Sequence, residues 1–551
     1  MIEIICTNNN VRKCIPSGMS LQELAEDLNV RLNHPILGAK VNNQLKSLNY
    51  EVYNNKVITF IDATDAAGYG MYERSLCFLL YKAVKDLYPK EDIEIKHSIS
   101  GGKFCEFENP NFEVTDAVVQ NIKKRMMQLV ADNIPFIREN VLTEEALSLY
   151  SQKGMTDKEK LLKNRKVFYT SVYELDKTIN YFFGCLVPTT GYLKTFDVVK
   201  YENGLLLSTP SRHVPNKLSP VKKSPKLFNV FKEHKEWVKI IGSPYVGDLN
   251  EQLLKGKATE VILLSEALHE KKLVTIADEI KSREGVKIVL ISGPSSSGKT
   301  TSCRRLSVQL GVLGFQPVQL SVDNYFVERE QTPLDENGNY DFEHVNALDL
   351  DLFNSHLQDL IAGKEIDMPT FDFVQGKKVW KGNKLRMNEK SLLVVEGIHC
   401  LNPLLTQSVD NSKTYKVFVS ALTSLAIDKH NPIHSSDNRL IRRIVRDYNY
   451  RGYSAEDTIS RWPSVRNGEE KWIFPFQENA DAMFNSAMLC ELSLLKKHAV
   501  PIINKVPECS SEYTEAHRLR KLLSYFVGIE DENVPHYSIL REFFGGSIFS
   551  Y

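Results

Sequence analysis

The chain has 551 residues, 42% of them hydrophobic and 25% charged, with 69 Lys+Arg against 69 Asp+Glu. So long a chain cannot be built round one core and predicts about three domains. The neutral balance excludes a whole-molecule attraction to nucleic acid or to an anionic membrane and leaves such contacts to local patches.

The opening residues, MIEIICTNNN, lack the charged-then-apolar order of a signal peptide. No apolar run is long enough to span a bilayer, so the chain reads as cytoplasmic with no membrane role. The 9 cysteines are scattered without a C-x-x-C pair, which suggests neither a disulfide framework nor a thiolate zinc site. Within residues 1–62, IEIIC and VITFI read as strands, LQELAEDLNV as a helix, and GAKVNN turns into a further strand. This predicts a small β-grasp-like module. YERSLCFLLYKAVKDLYP then shows helical apolar spacing ended by Pro89, and strand-like and helical stretches continue to about residue 210.

From 212 to 239 the chain turns basic and proline-bearing, RHVPNKLSPVKKSPKLFNVFKEHKEWVK. Its Phe228, Phe231 and Trp237 could stack on nucleic acid. Pro and Lys together favour a connecting arm whose aromatics pack on a neighbouring domain. Residues 251–285 read as helices leading into the second half, and His269 falls on an exposed helix face with no role assigned.

Gly293-Pro-Ser-Ser-Ser-Gly298-Lys299-Thr300 fits G-x-x-x-x-G-K-[ST] at every position. VKIVLIS before it suits a buried parallel strand, and TSCRRLSVQLGVLG after it has a helical pattern. Strand, glycine loop and helix in that order predict a nucleotide site. Backbone N–H groups from Gly293 through Ser295, Ser296, Ser297 and Gly298 to Thr301 would cradle phosphates at a helix N-terminus. Lys299 would reach the β- and γ-phosphates and Thr300 would bind Mg²⁺.

A small-molecule kinase further needs an acid to deprotonate the acceptor, a metal-directed acid, and arginines to neutralise the transferring charge. VQLSVDNYF reads as a strand ending in Asp323, and LLVVEGIHC as one ending in Glu396 and Gly397. NRLIRRIVRDYNYRG places Arg439, Arg442, Arg443 and Arg446 largely on one helical face, with Arg451 just beyond. Asp447 is the only carboxylate in that stretch, which argues against a salt-bridged surface helix. An NKxD guanine-reading motif is absent. His430 and His434 have i, i+4 spacing, but Pro432 between them excludes a two-histidine helical metal site.

In order, GPSSSGKTT, SVDNYF, YDFEHVNALD, GKEIDMPTFDF, VVEGIHCL and RLIRRIVRDYNYRG resemble the uridine kinase and phosphoribulokinase family over about 286–505. The resemblance implies a P-loop kinase with a parallel sheet flanked by helices, using ATP and Mg²⁺. It implies Asp323 as general base and metal neighbour, Glu396 as metal-directed acid, and Arg443, Arg446 and Arg451 as lid arginines. Glu343 would hold sugar hydroxyls in place of the family's Asp, with Tyr325, Phe371 and Asp372 on the acceptor side. Two departures bear on the acceptor. Phe371 and Gly376 stand where the family's Tyr and His read a pyrimidine, so uridine is doubtful as substrate and the glycine predicts room for a larger base such as a purine. Tyr453 and Arg461 also sit where the family carries Arg and Gln.

GAKVNNQLKSLNY and VITFIDATD resemble the TGS module of threonyl-tRNA synthetases, and the next stretch of chain resembles their editing domain. Arg74 and Phe78 occupy the two positions of that domain's H-x-x-x-H motif, and Cys185 in YFFGCLVPTTG is out of register with its Cys/His motif. The resemblance implies a retained fold without editing chemistry.

The expected architecture is therefore multidomain α/β. It has a β-grasp-like module at 1–62 and an α+β editing-like domain at 63–211. A basic linker with connecting helices covers 212–284, and a P-loop kinase domain 285–551. The expected activity is ATP- and Mg²⁺-dependent phosphoryl transfer to a hydroxyl of a nucleoside or related small molecule. The alternative is an ATP-binding sensor that engages tRNA or the ribosome through its first half. Loss of the editing site also leaves an oligomerising role open for that half.

Overall fold

A computed structural model describes residues 1–336, 338–372 and 375–550. Phe373 and Val374, within the segment that replaces the family's base readers, lie outside the described residues.

The first module is a mixed five-stranded sheet. Ile2–Cys6 pairs antiparallel with Val11–Ile15 and parallel with Lys56–Ile61, which is flanked on its other side by the Gly38–Val41/Gln44–Ser47 hairpin. Helix Leu21–Asp27 starts in a capping box between Ser20 and Glu23. It lays Leu21 and Leu24 on the sheet's Ile4, Ala39, Val41, Ile58 and Phe60, a core of its own.

Helix Ala66–Leu87 opens the second domain, capped by Asp65. Every residue from Ser75 to Val84 is buried, because the helix is walled on all sides. Around it lie a four-stranded antiparallel sheet (Asp197–Tyr201, Gly204–Ser208, Gly102–Phe107, Ile93–Ile99), helix Asp116–Ala131, and a three-stranded sheet of Ile137–Leu142, Tyr169–Leu175 and Thr178–Asn180.

The basic stretch read as a connecting arm forms a 17-residue helix, Pro225–Ile241. Proline at its first turn and left-handed Gly242 at its end bound it. Leu227, Val230, Phe231, His234, Val238 and Ile241 make one buried face. Phe231 stacks on His97 with centroids 3.5 Å apart and Phe228 meets Phe104 edge-on at 5.1 Å, so these aromatics pack inward. Lysine-rich composition had masked a helical period.

The second half contains α1 (Ala258–Ser282), β1 (Ile288–Ser292), α2 (Lys299–Val312), β2 (Gln316–Ser321), β3 (Ser391–Glu396) and β4 (Thr414–Ser420). There follow α3 (Ser435–Tyr450), α4 (Ala455–Trp472), β5 (Ala482–Asn485), α5 (Tyr513–Leu523) and α6 (Arg541–Phe544). The five strands lie in the order β2-β3-β1-β4-β5, all parallel. Both faces are covered: Val289, Ile291, Val394 and Val417 enter one core, and Ile288, Leu290, Val395 and Phe418 the other. Helix α1 shares the first of these cores with β1 and α2, and Arg305 of α2 binds Glu266 and Glu270 of α1 at 2.8 and 2.7 Å. Hence α1 belongs to this domain's packing rather than to a linker. Its His269, expected on an exposed face, is 1% exposed and lies edge-on to Phe484 of β5.

Domain contacts are polar as well as apolar. Lys158 of the second domain is fully buried between Asp157 (3.3 Å) and Asp428 (3.4 Å), with His430 Nδ1 at 3.1 Å. His430 thus serves a buried joint. The first module reaches the far end of the chain too: the Asn42-Asn43 turn of its hairpin accepts from Thr514 Oγ1 at 2.7 Å, and Asn43 Nδ2 donates to Glu508 O at 3.0 Å.

Among the described residues, no helix is long and apolar enough to cross a membrane.

Candidate active site

The loop 293–298 joins β1 to α2 at the carboxyl ends of the strands, where open α/β sheets bind ligands. Ser296 (φ 57°) and Gly298 (φ 80°) take left-handed conformations that turn the backbone N–H groups inward. Gly293 sits so tightly that a Cβ there would lie 2.0 Å from Val419 O. Lys299 Nζ donates to Pro294 O at 3.1 Å.

The arginines of α3 divide into two sets. Arg439 and Arg442, i and i+3, are buried under the loop. Arg439 Nη1 donates to Ser295 O at 3.0 Å and Arg442 Nη1 to Ser296 O at 3.3 Å, so they hold the loop from behind. Glu469 of α4 accepts from Arg439 Nη2 (2.7 Å) and from Ser295 N (3.1 Å), and Glu491 accepts from Arg442 Nη2 (2.8 Å). The helix is therefore heavily ion-paired, contrary to its local acid count, because its carboxylates come from other segments. Arg443, Arg446 and Arg451 form the second set, gathered on buried Asp447 at 3.2, 2.7 and 3.7 Å. Arg443 also donates to Ser295 Oγ at 2.8 Å.

Asp323 lies just past β2, which ends at Ser321, in the short helical turn Val322–Tyr325. Glu396 closes β3 in register with Ser321, whose hydroxyl donates to it at 2.9 Å. Desolvation by the surrounding protein pushes the Asp323 carboxyl up, against Lys299, Arg451 and Arg446. Burial, and next the charge of Asp323, push Glu396 up to about 7, with Lys299 opposing. Glu343 is pushed up to about 7 by burial and by Glu469, with Arg443 and Lys299 opposing. Its Oε2 is buried without a hydrogen-bond partner among the described residues, an acceptor left open beside Lys299.

Among the described residues no group of three or more His, Cys, Asp or Glu could hold a metal. The paired carboxylates Asp323 and Glu396, with the Thr300 hydroxyl at the start of α2, instead make a sparse all-oxygen set. That suits Mg²⁺, which keeps waters and takes substrate phosphate oxygens.

On the acceptor side, Tyr325 is fully buried and its hydroxyl lies 2.9 Å from His356 Nδ1, so it packs beneath the cleft rather than facing an acceptor. Phe371 packs on Phe326 at 5.5 Å, and Asp372 Oδ1 accepts from Gln375 N at 3.0 Å. Gly376 has φ +70°, and a Cβ there would lie 2.8 Å from Arg329 Nε. The room expected for a larger base is taken by Arg329, whose N–H donates to Gly376 O at 2.9 Å.

Two groups escaped sequence reasoning. His399, three residues past Glu396, is 1% exposed and pushed down to about 3, by burial and then by His344, so a neutral imidazole lies buried within the field of Lys299. Glu542 of α6 accepts from Thr301 N at 3.2 Å and Thr301 Oγ1 at 2.6 Å, at the N-terminus of α2, a helix end that favours anions. Ile539 closes on Gly298, and Phe543 packs under Arg442 at 5.0 Å, which fixes the segment there.

Two predictions arise here. A carboxylate on the phosphate donors competes with a triphosphate, so Glu542→Gln is expected to tighten nucleotide binding by about tenfold. A fluorescent ATP analogue titration checks this, and unchanged affinity would mean that the nucleotide leaves Glu542 in place. The second concerns pH. A carboxyl near 7 in the fold and about 4.3 unfolded contributes stability below the lower value and loses it as pH rises through 7. The metal-free protein is expected to lose melting temperature between about pH 5 and pH 8, and Glu396→Gln to flatten that loss. Thermal scans across the window decide it.

A family model described as Phosphoribulokinase / Uridine kinase family matches residues 288–492, from β1 through β5. A uridine kinase of Ligilactobacillus salivarius is 30% identical over 203 residues, covering 36% of this chain and 85% of that one. One of Borrelia turicatae is 32% identical over 200 residues, covering 36% and 84%. The chain belongs to the phosphoribulokinase/uridine kinase family. The family segment contains Lys299, Asp323, Glu343, Glu396 and the α3 arginines, while Glu542 lies beyond it. A threonine–tRNA ligase of Carboxydothermus hydrogenoformans is also 28% identical over 200 residues, which is 36% of this chain but only 31% of that enzyme.

Proposed function

We propose that this protein transfers the γ-phosphoryl group of ATP to a hydroxyl of a nucleoside or related small molecule. The observation that carries the reading is the left-handed turn of loop 293–298 into Lys299, with Asp323 and Glu396 at the ends of two paired strands of the same sheet. Loop N–H groups and Lys299 bind the phosphates. Asp323 takes the acceptor proton, and its raised proton affinity suits that task. Arg443 and Arg446, held by Asp447, swing toward the transferring group when the cleft fills. Glu343 offers its open oxygen to an acceptor hydroxyl. Thr300, Asp323 and Glu396 would hold Mg²⁺, which when bound supplies charge neutralisation on the phosphates.

Arg329 replaces the base-reading histidine as the donor nearest position 376. ATP consumption measured against a panel of nucleosides, sugars and sugar phosphates tests the reading. Turnover on one acceptor, lost in Asp323→Asn, supports it. ATP bound without turnover on any acceptor would instead favour the reading as a nucleotide sensor.

A further inference from the structure

Away from the phosphate loop, three distant segments bring positive charge to one place. Cys185, 7% exposed, forms its floor. Arg74 Nε and Nη2 donate to the Cys185 carbonyl at 3.2 and 3.1 Å, and Arg138 Nη1 lies 4.0 Å from its Sγ. Leu45 O of the first module is 3.7 Å from the same Sγ and brings in Lys46. Lys521 arrives from α5, its Nζ 5.2 Å above the Phe183 ring, with Arg165 beside it over Tyr525.

Among the described residues, none of these five cations pairs with a carboxylate. Acids of the same segments are engaged elsewhere: Glu73 with Lys103, and Asp437 and Glu515 with Arg518. Glu508 Oε1 accepts from the Tyr513 hydroxyl. Arg138 finds only the neutral Ser171 Oγ, at 2.8 and 3.2 Å. Burial, and then the neighbouring guanidiniums against the pull of Cys185, push Lys521 down to about 8. Arg74 and Lys46 are lowered as well, chiefly by burial. Cations crowded and partly buried without counter-charge oppose the fold unless an anion joins them. The α3 arginines show the contrast, since each of them has its carboxylate.

We propose that the cleft over Cys185, walled by Lys46, Arg74, Arg138 and Lys521, binds the phosphate group of a phosphorylated ligand. Arginine forks suit phosphate oxygens bidentately, and the two lysines add point charge. Lys46, Arg138 and Lys521 belong to three different parts of the chain, so an occupied cleft ties the first module and second domain to α5 of the kinase half. A free mononucleotide or sugar phosphate and the 5′-phosphate of a nucleic acid share this chemistry.

The test titrates inorganic pyrophosphate into the full chain by calorimetry, without metal. Two sites per chain are expected. Lys299→Ala should remove the loop site alone. Arg138→Glu with Lys521→Glu should remove the other alone, and circular dichroism matching the wild type's, with the Lys299-dependent site retained, shows that the fold is intact. Arg138→Gln, as a milder variant, should weaken the second site by about tenfold. Pyrophosphate should also slow alkylation of Cys185 in the Lys299→Ala protein. A single site abolished by Lys299→Ala, or a second site untouched by the charge reversals, overturns the proposal. Displacement by mononucleotides or sugar phosphates identifies a free metabolite, and displacement only by a 5′-phosphorylated oligonucleotide identifies a nucleic-acid end. Displacement by none of these overturns it.

Discussion

Asp323→Asn is expected to cut turnover by about two to four orders of magnitude while nucleotide affinity changes only a few-fold. The amide keeps the shape of the side chain in the turn after β2 but cannot accept a proton. Its place just past Ser321, which pairs with Glu396 on the neighbouring strand, puts it beside Lys299 and within the field of Arg446 and Arg451. Losing its negative charge relieves Glu396, which Asp323 holds up. The variant's Glu396 should therefore titrate lower than the wild type's. Single-turnover kinetics with a saturating acceptor separate the chemical step from binding, and wild-type rates would remove Asp323 from the base role.

The second large effect is on stability. Glu469→Ala is expected to cost the kinase half ~3–5 kcal/mol, the penalty for leaving a buried charge without its partner. Glu469 is fully buried and accepts from Arg439, Arg466 and the Ser295 N–H, so its loss strands the buried Arg439 guanidinium and a loop donor, while Arg466 keeps Glu470 at 3.2 Å. Burial pushes its carboxyl up, but Arg439 and Arg466 outweigh this and hold it below its ordinary range. A depressed carboxyl lends stability above about pH 4.3 and loses it as pH falls through the folded value, so the wild type should soften in acid where the variant does not. Denaturant melts followed from the kinase half, at neutral and acid pH, measure both. A wild-type midpoint at neutral pH would show the arginines to be solvated instead.

The loop and the strand-end acids were legible because their signals are local. An apolar run, a glycine loop and a helix follow one another within residues 286–312, and Asp323 and Glu396 each trail a strand by no more than two residues. What opposes or supports them was not. Glu469 reaches the loop, Glu491 the arginine behind it and Glu542 the start of α2 across long stretches of chain, and Thr301 and Glu542 are 241 residues apart. No period or spacing encodes such a meeting. Composition misled in two places. Lysines and prolines hid the helix Pro225–Ile241, and the sparse acids of α3 hid a helix whose charges are matched from outside. Gly376 was misread for a different reason: a missing side chain signals space only if nothing else fills it, and Arg329 does.

The bond between the first module's hairpin and the segment leading into α5 has a consequence in time. Asn43 and its acceptor Glu508 are separated by 465 residues. At synthesis rates of about 5–20 residues per second, roughly 20–90 s pass before the partner of that turn exists. The module must keep its fold without that contact through the interval, and its self-contained core around Leu21, Leu24 and Phe60 allows it to. The cationic cleft over Cys185, which needs Lys521, is among the last places in the molecule to be completed.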